Sequence, residues 1–272
     1  MSDHHDDIHT HDEELEDHDR GLSFDIQDPR HRRAFLGMIG AGATTIGGAV
    51  LLGTAGSAAA DAVAEIPTET SGPYPGDGSN GPNALAEAGI VRRDIRRSFG
   101  TSTTKAHGQP FEFRLRLVDT ADASPLTGHA VYAWHCNRDG EYSMYGTGIT
   151  GENYLRGVQV SNHKGVVRFK SIYPACYSGR WPHIHFEVYQ NVSAATGGGT
   201  PLVTSQIALP RTTSMHVYSK VAGYESSITN LNQISLGTDN VFGDDGGVRE
   251  MATMKGSIKK GYRARLLVPV DV

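Results

Sequence analysis

Two histidines separated by a single residue, His183 and His185, sit inside the stretch Ser171–Val188, SIYPACYSGRWPHIHFEV. The run around them reads as a strand. Successive side chains of a strand point to opposite faces, so both imidazoles share one face and can hold a metal ion together. Tyr177 lies just upstream in a Pro-containing turn, and Arg180 lies between it and the pair. A second stretch, Val131–Gly146 (VYAWHCNRDGEYSMYG), ends a strand at Cys136, turns through Asn137-Arg138-Asp139-Gly140 and then offers Tyr142. Tyr142 and Tyr177 with His183 and His185 make a donor set of two phenols and two imidazoles. Taken singly, a His-x-His pair occurs on many strands without metal, and a tyrosine at a strand end is usually a packing residue. Together they suit a hard, highly charged ion such as Fe(III), because a phenol with a pKa near ~10 ligates only when a cation removes its proton. His135, in the same block, reads instead as a hydrogen-bonded core histidine, and Tyr145, Tyr173 and Tyr189 read as packing.

The elements that would carry these groups are short strands. Phe111–Asp119, FEFRLRLVD, alternates apolar and polar residues with period two. His129–Cys136, Gly157–Ser161, Val166–Tyr173, Trp181–Gln190, Leu202–Leu209, Val248–Met254 and Tyr262–Val270 are the other candidates, with turn residues between them. Asn80–Gly89 reads as a short helix and Thr212–Ala222 as a short helix or an irregular loop. Glycine is abundant and helix-forming runs are few. The pattern predicts an all-β chain: an antiparallel β-sandwich of about eight strands with long loops and little helix.

Three segments divide the chain. Residues 1–28 are acidic and histidine-rich, a composition that cannot bury a core and predicts a disordered tail. Asp3, Asp6, Asp7, Asp12, Glu13, Glu14, Glu16, Asp17 and Asp19 stand there against Arg20, so most of the net charge of −5 is in the tail. Without it the chain is close to neutral and shows no basic run, which argues against a nucleic-acid partner. Residues 29–60 open with His31-Arg32-Arg33-Ala34-Phe35-Leu36, continue as a mild apolar run and end in Ser57-Ala58-Ala59-Ala60. This resembles a twin-arginine export signal, engaging its translocation machinery transiently and cleaved near Ala60. The run is also long enough to be a membrane anchor, although its Gly and Ala content makes it a poor one. The expected product is secreted or held in the cell envelope. Residues 61–272 are then one domain's worth of chain.

Four blocks, TSGPYP, WHCNRDGEYS, NYLRGVQVSNHKGVVRFKSIYPACYSGRWPHIHFEV and GYRARLLVPV, follow one another from about Ile66 to Val270. In order and spacing they resemble the intradiol ring-cleavage dioxygenases, and among these the exported single-domain type. The resemblance implies a non-haem Fe(III) enzyme that cleaves catechol-type diols with O2, between the two hydroxylated carbons, to muconate-type diacids. It implies iron ligation by Tyr142, Tyr177, His183 and His185, with Tyr177 leaving the metal to take a substrate proton. It places the family's active-site arginine at Arg180 and a supporting glutamine at Gln206. It sets the substrate-bordering loop at Gly72-Pro73-Tyr74. Ala208 stands where some members have a tyrosine, so the pocket wall differs.

Two other functions compete. A metal-free β-sandwich binding module would share the fold, but all four ligand types are intact. A cupin or a two-histidine-one-carboxylate Fe(II) oxygenase would need a further ligand. Here Glu187 follows His185 too closely, on one straight strand, to wrap the same face of an ion. Cys136 and Cys176 each precede a proposed ligand and are open to two readings, a disulfide permitted by export or two buried thiols.

Overall fold

The computed structural model of the protein describes residues 63–272. The acidic segment 1–28 and the segment 29–60, expected to be an export signal, lie outside the described residues. Eight strands run in order: β1 Pro110–Asp119, β2 Ala130–Trp134, β3 Arg156–Val160, β4 Val166–Ile172, β5 His183–Tyr189, β6 Val203–Ala208, β7 Thr253–Ser257 and β8 Gly261–Val270. Among the described residues three α-helices, α1 Val192–Thr196, α2 Arg211–Lys220 and α3 Glu225–Gln233, and a 3-10 turn at Leu236–Thr238 fall between β5 and β7.

The strands form two four-stranded sheets, β4-β1-β8-β7 and β3-β2-β5-β6. The period-two pattern of β1 decides how the first sheet packs. Phe111, Phe113, Leu115 and Leu117 are buried in one core with Ile184, Phe186 and Val188 of β5. That shared core makes the two sheets a sandwich, as layers with one apolar face each require. On the other face of the second sheet, Tyr132 and Trp134 join a separate apolar cluster with Leu85, Ile90 and Tyr142, contributed by the loops that cover this sheet.

Three expectations need correction. The first sheet is mixed rather than antiparallel, because β1 pairs with β8 in parallel, from Phe111 opposite Tyr262 to Asp119 opposite Val270. Asn80–Gly89 forms turns instead of a helix; Gly78, Gly81 and Gly89 take positive φ, which interrupts a right-handed helix. The strand expected at Val248–Met254 begins only at Thr253, because Glu250 and Met251 hydrogen-bond back to Gly247 in a turn. Helix α2 matches the helical option for Thr212–Ala222, whereas α3 has no counterpart in the sequence reading. No helix among the described residues is long and apolar enough to cross a membrane.

Candidate metal centre

Strand alternation sends Ile184, Phe186 and Val188 into the core, which leaves His183 and His185 on the opposite face. Their Nε2 atoms stand 3.1 Å apart. The Tyr142 hydroxyl lies 3.3 Å from His183 Nε2 and 3.1 Å from His185 Nε2. The Tyr177 hydroxyl lies 3.2 Å from His183 Nε2 and 3.5 Å from the Tyr142 hydroxyl. Four donors each bound about 2.0–2.1 Å from one ion at tetrahedral angles must stand ~3.3 Å from each other. The four side chains singled out in the sequence therefore meet at a spacing that fits a common metal ion. Among the described residues no three His, Cys, Asp or Glu side chains gather as a metal group, so the phenols are essential to this donor set.

Each donor is held by local structure. Asn137 Oδ1 accepts from the backbone N–H groups of Asp139 and Glu141 at 2.9 and 3.0 Å, folding the turn that returns Tyr142. Behind that turn, buried Arg156 donates to the carbonyls of Pro75 and Ser143 at 2.8 and 2.9 Å, tying the loop before β1 to the Tyr142 loop. The Tyr177 turn hangs from α3: Ser227 Oγ accepts from Cys176 N–H at 3.0 Å, and Asn230 Nδ2 donates to the Cys176 carbonyl at 2.9 Å. His183 Nδ1 donates to the Trp181 carbonyl at 2.5 Å, which fixes the tautomer and leaves its Nε2 lone pair facing the cluster. The His185 ring stacks on Trp134 with centroids 5.0 Å apart and planes 7° from parallel, and its buried Nδ1 has no partner.

The electrostatics are those of a dry site. Burial first, with the Arg180 charge, holds both imidazoles well below the usual histidine range, so they stay neutral lone-pair donors. Burial, and after it Tyr177, pushes the Tyr142 phenol well above 10, so a bound cation is what would ionise it. Tyr177 is half-exposed while Tyr142 is buried. Burial alone would lower the Arg180 guanidinium, but Tyr177, Asp239 and Tyr142 outweigh it and raise it above its ordinary value.

Arg180 is 5 % exposed and clamped from two sides. Its Nη2 donates to Gln206 Oε1 at 2.7 Å, and Gln206 Nε2 donates to the Thr70 carbonyl at 2.9 Å. Its Nε donates to Asp239 Oδ2 at 3.1 Å, and the same oxygen accepts from Trp181 N–H at 2.6 Å. The sequence reading missed Asp239: it lies in a turn 59 residues from Arg180 and carries no local signal of that partner. Arg156 was missed as well: it stood just before the strand expected at Gly157–Ser161 and was given no role. The Gly72-Pro73-Tyr74 loop closes over the donors. Gly72 has φ +68°, a Cβ on it would sit 3.2 Å from His185 Cε1, and the Tyr74 ring packs 5.3 Å from that of Tyr142.

His135 is buried, its Nδ1 2.8 Å from the Cys136 carbonyl and its Nε2 2.7 Å from Ser171 Oγ; burial takes its pKa down to about 4. It is the core histidine the sequence suggested. Cys136 and Cys176 are free buried thiols, which decides between the two readings of this pair.

A model of the Dioxygenase family matches residues 80–197, from the loop before β1 through the end of β5 and α1. Chlorocatechol 1,2-dioxygenase of Rhodococcus opacus is 33% identical over 70 residues, 26% of this chain and 27% of that enzyme. Residues 80–197 of this chain are thus similar to the Dioxygenase family, and part of the chain to a chlorocatechol 1,2-dioxygenase. The match spans about a quarter of the curated relative's length. An intradiol ring-cleavage dioxygenase from Tetranychus urticae shares the fold at a TM-score of 0.61, with 24% identity, over 77% of this chain and 95% of that one. The 3-chlorocatechol 1,2-dioxygenase of Rhodococcus opacus shares it at 0.50 and 14% identity, over 78% and 75%. Tyr142, Tyr177, His183 and His185 all lie inside the family match.

Proposed function

We propose that this chain is a non-haem Fe(III) intradiol dioxygenase. It would open catechol-type diols between the two hydroxylated carbons, which separate as carboxyls while both atoms of O2 enter the muconate-type diacid. The observation that carries the reading is the convergence of two phenol oxygens and two imidazole nitrogens, with five of their six pairings 3.1–3.5 Å apart. Tyr142, Tyr177, His183 and His185 would hold the ion. Ferric iron, when bound, withdraws electron density from a chelated diol and opens its ring to O2.

The remaining work belongs to side chains. Tyr177, the more exposed phenol, takes the proton of a substrate hydroxyl on its Oη, and buried Tyr142 stays as a fixed donor. Arg180 presents a permanent positive charge beside the donors, in a site where water does not screen it, and stabilises negative charge that builds on the ring. Gln206 and Asp239 hold it there. Gly72-Pro73-Tyr74 covers the opening and excludes water. In the same proposal residues 61–272 are the catalytic unit, exported through the twin-arginine route.

Tyr142→Phe tests the donor set. It should abolish bound iron, the reddish tyrosinate charge-transfer absorption and oxygen uptake with a panel of catechols. Full turnover in this variant would refute the assignment, and a colourless, iron-free wild-type protein would favour the binding module. Arg180→Ala should keep the colour and slow turnover by ~10²–10³, the scale for removing one charge-stabilising donor.

A further inference from the structure

The outer face of the first sheet stacks like charges in register. Arg114 of β1 stands directly opposite Arg168 of β4 on one side and Arg265 of β8 on the other. Two residues along, Lys170, Arg263 and Lys255 form the neighbouring row around Glu112, and that carboxylate is taken by Arg93 at 2.8 Å. Among the described residues no carboxylate pairs with Arg114, Arg168 or Arg265. Like charges directly opposite one another weaken a ladder. Burial first, and then Arg168 and Arg265, lowers the Arg114 guanidinium below its ordinary value. The linear sequence hides this row because three strands contribute one arginine each.

Beside the row lies a cleft of about 720 Å³, lined by Arg114, Arg116, Arg249 and Arg265 and also by Val63 and Ala64. The chain upstream of Val63 therefore starts from the cleft itself. That upstream chain contains the nine carboxylates between Asp3 and Asp19, with Arg20 the nearest cation following them. Residues 20–62 join the two, a tether whose extended length of ~3.3 Å per residue far exceeds the width of a four-stranded sheet. Tethering of this kind supplies an effective concentration up to roughly millimolar.

We propose that the acidic segment Asp3–Asp19 docks across the Arg114–Arg168–Arg265 row for as long as it stays attached to the chain. It supplies the counter-charge the sheet lacks. Cleavage near Ala60 would remove it and uncover the face.

The test uses the full chain with two introduced cysteines, Thr10→Cys in the acidic segment and Thr253→Cys opposite Arg265. Both native thiols are buried, so spin labels go to the introduced sites. Pulsed electron resonance at low salt should give a short, narrow distance. At 1 M salt, where the Debye length is ~3 Å, it should broaden. In an Arg114→Gln/Arg168→Gln/Arg265→Gln background it should be broad at all salt concentrations. Heparin, added as a competing polyanion, should displace the segment. A broad distribution in the unaltered background at low salt overturns the proposal, and heparin binding without the short distance would assign the face to an outside polyanion instead. A short distance that survives both high salt and the triple substitution also overturns it.

Discussion

Asp239→Asn is the substitution that probes most of this site at once. Asp239 is 2 % exposed and uses both oxygens: Oδ2 accepts from Arg180 Nε and Trp181 N–H, and Oδ1 from the N–H groups of Val241 and Phe242 at 2.9 and 3.0 Å. Asparagine keeps the shape and the Oδ1 pair, but turns an NH2 group towards two donors and leaves a buried guanidinium without its carboxylate. Removing one partner of a buried ion pair costs ~3–5 kcal/mol. For a chain of this size each kcal/mol moves the melting temperature by ~2–4 °C, so a fall of ~6–20 °C is expected by circular dichroism. Gln206 still holds the other end of Arg180, so the guanidinium loses aim rather than its place, and turnover should drop by up to ~10²-fold, the scale of a small misplacement. The four metal donors are untouched, so iron content and charge-transfer absorption should stay at wild-type levels. A melting temperature within ~2 °C of wild type together with unchanged oxygen uptake would show that the Arg180–Asp239 contact neither stabilises the fold nor positions the arginine.

Two further outcomes follow from other parts of the structure. Burial, with Glu250 and the carboxylates of Asp244 and Asp245, raises Glu69 to about 9, and burial with Asp245 raises Glu250 to about 8. Between ~4.5 and these values the folded chain holds more protons than the unfolded one, so stability falls as pH rises through that window. Glu250→Gln should flatten the decline of melting temperature between pH ~5 and ~9; an identical slope would refute this origin. Gly72→Ala forces a side chain into φ +68° and against His185 Cε1, at a backbone cost of ~1–2 kcal/mol. It should lower the melting temperature modestly and raise KM, and unchanged KM would detach this loop from the substrate opening.

The legible parts of the chain are those whose information is local. The strand pattern FEFRLRLVD, the face shared by His183 and His185, and the turn before Tyr142 are all written within a few residues, and each appears where expected. The parts that stayed hidden depend on partners far along the chain. Arg180 meets Asp239 across 59 residues, and Arg156 reaches Pro75 across 81. The arginine row exists only once the register of three strands is set. Helix α3 escaped notice because ESSITNLNQ is mostly polar and buries only Ser227 and Leu231, yet it is what suspends the turn that carries Tyr177.

The parallel pairing of β1 with β8 sets an order of events for the nascent chain. β8 lies between β1 and β7, so the first strand made waits for the last one before its sheet can close. Contacts this distant in sequence are slow to form and leave edges open in the meantime. The sandwich cannot finish until Gly261–Val270 has been made and has left the ribosome. Loss of Gly261–Val270 would not trim a border; it would remove the middle plank and leave the β4-β1 pair apart from a lone β7.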